Sequence, residues 1–430
     1  MAETYRDLLI LICLGLLGWG VIRIERIYQY PFFMGSMFIS FIVPQAFALI
    51  NNPASVSQEA LERVLFVSCL SAAACWIGYE MKPNQKWLAN LNIIIDERKL
   101  FRAGIVLIAQ AWFFNFLLAH TTIQKSAVNG NWTGPATIYF FFIQAGNIAF
   151  GIFILQLLKR PNIINFIFAV LSGMPLFSQV MSGRRQPTMT FAIIIGISFW
   201  LVRRYIPSKA LVITAIVVMT FLIPVFGELR SDFWNLVFSG DWQGVLSASQ
   251  IAFSNLQKGE ILELRNAALL IDATDFTGVY GYGSSWWDSI IFQFVPGQIV
   301  GFDFKQSLQL NLVGVNYELL KSKYAYTPPT GATFTGLADS FTEFSYFGCL
   351  SFALIGYIFK NLWISAVYYK SIFSQLLYMG LVSPAMLALT HGIGRWWQEA
   401  LFQLVFLGLA SYYSRDRNKS YYRNLGNYGG

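Results

Sequence analysis

Repeated apolar runs, each approaching the roughly 20 residues that a bilayer's hydrocarbon core requires, constrain this chain more than any motif does. They lie at residues 8–22, 31–50, 61–79, 104–119, 136–158, 163–180, 189–202, 210–227, 341–359, 371–389 and 400–413. A barrel strand needs only about 10 residues of alternating character, so these runs predict helices. The expected fold is all-α: a polytopic membrane bundle of about eleven transmembrane helices, forming one integral domain over residues 1–430. Only 12% of the residues are charged against 56% hydrophobic, too few charges to cover a soluble surface of this size. The first run has Arg6 as its sole positive flank and no evident small-residue cleavage site, so it is read as the first span rather than as a signal peptide.

The net charge of +8 does not indicate a nucleic-acid partner, because the basic residues gather in alternate loops. Arg23, Arg26, the 82–102 block, Lys159, Arg160, the RRYIPSK turn at 203–209, Lys360, Lys370 and the RDRNK tail all fall on one side. That side is expected to be cytoplasmic, which puts the N-terminus outside and the C-terminus inside. The segment 359–370, with Trp363 and paired tyrosines, reads as an interfacial connection on the cytoplasmic side. Cys13, Cys69, Cys75 and Cys349 sit inside apolar runs without C-x-x-C spacing, as small buried hydrophobes do.

One connection departs from this pattern. Residues 228–339 form a long extracytoplasmic loop, far beyond an ordinary linker and rich in apolar and aromatic residues. Its 254–271 stretch has the pattern of an amphipathic helix, and short helices on or dipping into the outer leaflet are expected. The YGYGSSWW segment at 280–287 lacks the Lys-Ser/Thr of a phosphate loop. Tyr282, Trp286 and Trp287 there suit either sugar-ring stacking or an interfacial aromatic belt.

Arginines on the expected outer side oppose the general charge bias. Arg184 and Arg185 occupy a short turn, Arg230 follows a span end, and Arg395 lies in the THGIGRWWQ turn. Planar guanidiniums match phosphate oxygens, so these four are candidate ligands of a lipid-linked diphosphate; each can instead pair with Glu228, Asp232 or Glu399. The candidate catalytic groups are Asp339 and Glu343, spaced to share a helical face where water gives way to lipid, and His391, four residues before Arg395. No H-e-x-x-H, Cys/His cluster, early acidic metal motif, Walker sequence or nucleophile elbow occurs, so no metal and no cofactor is expected.

The layout of many spans with one long outer loop, together with SGRRQPTM at 182–189 and TPPTGATFTGLADSFTEFSYFGCL at 327–350, resembles the bacterial O-antigen and oligosaccharide repeat-unit polymerases of the Wzy type. The resemblance implies a GT-C-like architecture in the bacterial inner (plasma) membrane. It also implies metal-independent, inverting glycosyl transfer between polyprenyl-diphosphate-linked oligosaccharides at the outer leaflet, building O-antigen, capsule or exopolysaccharide. By motif position it carries over Arg184, Arg185, Asp339 and Glu343; Arg230, His391 and Arg395 transfer less directly. Membrane lipid is an implied partner, and a chain-length regulator and a flippase of the same pathway are candidates. An O-antigen ligase, with the same donor and another acceptor, is the alternative enzyme. A transporter or flippase of lipid-linked glycans would call for internal repeats and midplane charges, which the sequence does not display.

Overall fold

The computed structural model describes residues 1–122, 124–125, 132–229, 232–258, 262–329 and 333–416. Apart from a two-residue ladder pairing Gln124 with Thr133 and Lys125 with Trp132, the named elements of these residues are helices. The first half of the chain contains α1 (Ala2–Ile22), α2 (Tyr30–Asn51), α3 (Gln58–Glu80), the short α4 (Gln85–Leu91), α5 (Glu97–Ala119), α6 (Pro135–Lys159), α7 (Ile163–Met181), α8 (Arg185–Arg203) and α9 (Lys209–Glu228). Local chemistry starts several of them. Ser57, Asp96, Asn162 and Ser208 each accept a hydrogen bond from an amide of the first turn they precede, satisfying donors that a helix cannot pair internally.

Among the described residues ten helices are long and apolar enough to cross a membrane: α1–α3, α5–α9, the composite Thr335–Val367, and Ile372–His391. The multi-pass reading stands on these. Thr335–Val367 consists of α17 (Thr335–Phe344) and α18 (Cys349–Val367), joined by a tight turn of helix at Ser345–Gly348; Ile372–His391 is α19. The eleventh expected span falls within α20 (Ile393–Ser414), which is not among the ten. It nevertheless runs the depth of the bundle. Arg395 and Glu399 near its start share a cavity with Gln179 and Gln186, and its end meets the start of α5, where the Asp96 amide donates to the Ser414 carbonyl at 2.8 Å.

Among its described residues, the long connection between α9 and α17 carries seven helices: α10 (Phe233–Ser239), α11 (Trp242–Lys258), α12 (Glu263–Thr277), α13 (Ser284–Phe294), α14 (Gly297–Val300), α15 (Phe302–Ser307) and α16 (Gly314–Ser322). The single amphipathic helix expected over 254–271 is two helices, α11 and α12, with 259–261 outside the described residues. Nor does α12 lie on a surface: Leu264 and Ala267–Ile271 are fully buried, packed against α2, α3, α16 and α17. The expected interfacial connection at 359–370 is also largely helix. Trp363 is buried within α18 and stacks on Trp200 at 4.6 Å.

The ninth and third crossings, α18 and α3, make the tightest pairing. A Cβ placed on Gly78 would collide with the Ala353 carbonyl, so the backbones approach as closely as small residues allow. Partner contacts order the two ends of the bundle. The N-terminal amine meets Glu62, and Asn52 donates to the Lys258 carbonyl, so the N-terminus and the long connection share one end. Lys159 meets Glu97 and Tyr28 donates to the Tyr205 carbonyl at the opposite end, where α20 finishes.

Candidate functional site

The site begins with α17, whose two carboxylates point at different neighbours. Glu343 is fully buried. Its oxygens accept the Gly283 amide, the Ser285 hydroxyl and, at 3.3 Å, the Ser285 amide. Gly283 and Ser285 open α13, so Glu343 satisfies the unpaired donors of that helix and places negative charge at its positive end. The 281–282 backbone docks on the last turn of α17, with the Gly281 and Tyr282 amides donating to the carbonyls of Thr342 and Glu343 at 3.0 Å each. A Cβ on Gly281 would stand 2.5 Å from the Glu343 carboxylate oxygens, so only glycine permits this approach.

Asp339, one turn earlier, does the same for α20. Its Oδ2 accepts the Gly394 amide at 3.1 Å and the Trp286 indole N–H at 3.1 Å. Trp286 rises from α13 and packs on Phe344 with ring centroids 5.4 Å apart. Two acids on one short helix therefore join the starts of α13 and α20. The other aromatic residues expected to meet sugar sit further out: Tyr282 is 74% exposed, and Trp287 is half exposed with its indole N–H donating to the Leu308 carbonyl at 2.9 Å.

His391 ends α19 beside this junction. Its Nδ1 lies 2.6 Å from Thr390 Oγ1, which is also 3.2 Å from the Leu387 carbonyl. The threonine hydroxyl has one proton, and a carbonyl can only accept it. When the hydroxyl donates to the Leu387 carbonyl it accepts from Nδ1–H, and in that neutral tautomer Nε2 carries the lone pair. Arg185 and Arg395 are both within electrostatic reach of this imidazole. His120, by contrast, bonds the Phe116 carbonyl of its own helix at 2.8 Å.

Arg395 is held in place rather than loose. It pairs with Glu399 one turn on at 2.9 Å and donates to Gln398 at 3.1 Å, so the acid pairing left open by the sequence is realised here. Gln398 in turn donates to the Ser289 carbonyl of α13 at 2.5 Å. Arg395 and Glu399 line a small polar cavity of about 60 Å³ with Gln144, Asn147, Gln179 and Gln186. Phe140, Ile143, Pro175 and Gln179 also border a larger cleft of about 430 Å³ between α5, α6 and α7. Arg184 stands in that cleft among Trp112, Leu118 and Met174. Arg230 lies outside the described residues.

Glu263 at the start of α12 completes the neighbourhood. Burial pushes its carboxyl up from the ordinary value, opposed by the Arg185 charge and a hydrogen bond with Gln45. Gln45 also accepts the Leu264 amide at 2.9 Å. Ser285, Thr390, Glu263 and Gln45 were not singled out by sequence reasoning. Ser285 adjoins the aromatic pair and Thr390 adjoins His391, so each was flagged only by its neighbour.

Among the described residues no group of three or more His, Cys, Asp and Glu side chains could hold a metal ion. What the arrangement offers is a group of cations, an imidazole engaged through Nδ1 by Thr390, and a largely apolar cleft opening beside them. No protein-family profile, no curated protein and no solved structure matches the chain.

Proposed function

We propose that the chain is a GT-C-like membrane glycosyltransferase of the repeat-unit polymerase type, acting on polyprenyl-diphosphate-linked oligosaccharides. The observation that carries this reading is the gathering of Arg184, Arg185, Arg395 and His391 at one end of the bundle, beside a 430 Å³ cleft walled by Trp112, Leu118, Phe140, Ile143 and Met174 and interspersed with polar side chains. A lipid diphosphate needs both a hydrocarbon groove and cations at its mouth. The basic residues concentrate at the other end, near Glu97 and Arg203, which by the positive-inside bias makes the site face exterior, with the N-terminus outside and the C-terminus cytoplasmic.

In the reaction, the bond between donor C1 and the diphosphate oxygen breaks, and its electron pair leaves on the diphosphate. Arg184 and Arg185, with Arg395 braced by Glu399, stabilise the charge that grows there, more than they stabilise the ground state. The acceptor hydroxyl forms the new bond to C1 from the opposite face, inverting it, and its proton passes to His391 Nε2. Asp339 and Glu343 act as positioning groups: they hold α13 and α20, and with them Trp286 and Arg395, in one geometry. Trp286, Trp287 and Tyr282 offer ring faces to sugars, and Arg230 is a further candidate for the diphosphate.

The test is the glycan profile of cells lacking the protein and complemented with variants. Polymerase function predicts single repeat units in the deletion strain, restored to long chains by the natural protein but not by His391→Ala or Arg184→Ala at equal protein level. Long polymer stranded on its lipid carrier would identify a ligase, and normal chain length with either variant would overturn the assignment.

A further inference from the structure

At the end of the bundle opposite the arginine and histidine site, a second cleft of about 310 Å³ opens between the start of α5, the end of α6 and the start of α7. Arg98, Arg102, Lys159 and Arg160 line it, against one carboxylate, Glu97. Glu97 is shared by two of these cations, with Lys159 at 3.0 Å and Arg160 at 3.4 Å. Among the described residues, neither the Arg98 nor the Arg102 guanidinium makes an ion pair or a hydrogen bond. Asp96, the residue before Glu97, is engaged by the Arg98 and Lys99 amides as the cap of α5, and these hydrogen bonds, with the nearby Lys99 and Arg98 charges, hold its carboxyl below the ordinary value. Arg98 and Arg102 are four residues apart on one helix, so both heads project over the same face.

Arg98, Arg102 and Arg160 are solvent-exposed at the rim of the cleft, and their gathering over one concave surface is more than a topological bias requires, since that bias is met equally well by scattered side chains. The floor is polar and ordered. Asn165, almost fully buried, donates to the Arg160 carbonyl at 2.8 Å, and Asn162 caps α7. Immediately beside it, α7 turns Ile163, Phe166, Ile167 and Val170 outward, 46–68% exposed. Cations at headgroup depth followed by an apolar helix face along the hydrocarbon are the two halves of a phospholipid.

We infer that this cleft is a binding site for the phosphate of an anionic phospholipid, with Arg98 and Arg102 as its principal ligands and the acyl chains lying along α7. Guanidinium forks engage phosphate oxygens in pairs, which a zwitterionic lipid matches only with its own cation brought into the same basic cleft. The site is independent of the glycosyl-transfer reading, lying at the far end of the same helices, roughly 28 Å away along the 19 residues of α7.

The test is native mass spectrometry of the full chain in mild detergent, with phosphatidylglycerol or phosphatidylcholine of identical acyl chains added. The natural protein should retain phosphatidylglycerol preferentially, and Arg98→Gln with Arg102→Gln should reduce that retention roughly tenfold, while Lys209→Gln, at another basic turn of the same face, leaves it unchanged. Thermal melting reports whether the double variant folds; if it does not, Arg102→Gln alone should lower retention partially. Equal retention of both lipids, or undiminished retention by the folded variant, overturns the inference. Loss of the lipid on addition of excess inorganic phosphate also overturns it, by identifying a site for free phosphate.

Discussion

Asp339 and Glu343, one helical turn apart on α17, cap two different helices: Glu343 accepts the Gly283 and Ser285 amides at the start of α13, and Asp339 accepts the Gly394 amide at the start of α20. A carboxylate at membrane depth is costly unless it is hydrogen-bonded, and here both are bonded to donors that would otherwise be unpaired. The joint they make sets where Trp286, His391 and Arg395 stand. Glu343→Gln replaces one accepting oxygen with a carboxamide NH2, which faces N–H and O–H donors. It should destabilise the protein by about 1–3 kcal/mol, whereas Asp339→Asn, which keeps one acceptor oxygen, should cost about 1 kcal/mol or less. Thermal melting in detergent measures both. Chain extension should survive in Asp339→Asn; its complete loss with an unchanged melting temperature would make Asp339 the base instead.

His391 gives a sharper kinetic expectation. Replacing it by Gln should lower the rate of chain extension by about 10²–10⁴, the usual contribution of a general base, without shifting the melting temperature. Thr390→Val removes the acceptor for Nδ1–H and allows the other tautomer. It should slow turnover by roughly tenfold and change the pH profile while leaving KM for the donor near its natural value. A Thr390→Val rate equal to the natural one would exclude a role for the tautomer.

Ten of the eleven expected spans were legible in the sequence because candidate membrane spans announce themselves by length and hydropathy alone. All ten apolar spans overlap an expected run, and the eleventh run falls within α20, whose start carries Arg395 and Glu399. Residues such as Ala267–Ile271 were misjudged for a physical reason. An apolar run of that length suits a helix lying on a leaflet as well as one buried among others, and only packing separates them. The spacing of Asp339 and Glu343 marked the right segment, yet not their roles, since capping depends on which distant helix ends arrive there. The Glu343–Ser285 contact joins residues 58 positions apart, beyond the reach of periodicity.

Glu263 supplies a pH dependence. Its carboxyl is raised in the folded protein, chiefly by burial, so the folded state holds a proton that the unfolded state has lost. Stability contributed by this group is therefore greatest below the ordinary carboxylate range and declines as pH rises through the window up to the raised value. Glu263→Gln mimics the protonated form. It should remove this decline and raise the melting temperature at neutral pH, with little effect at acidic pH. A variant less stable than the natural protein at neutral pH would mean that the Arg185 charge outweighs desolvation.

The cleft that holds Arg184 can be closed without touching the charges. Ser178 lines it on α7, opposite Trp112 and Asn115 on α5. Ser178→Trp adds a large ring to a space of about 430 Å³ that opens beside lipid, so the substitution has room and the fold should melt as before. If the cleft receives the hydrocarbon of a lipid-linked donor, the added ring competes with it. KM for the lipid-linked donor should then rise about tenfold or more while turnover at saturation changes little, the signature of lost binding common to ground and transition states. A fall in turnover with KM unchanged would place the ring against the reacting atoms instead, and an unchanged profile would move the lipid chain to another face of the bundle.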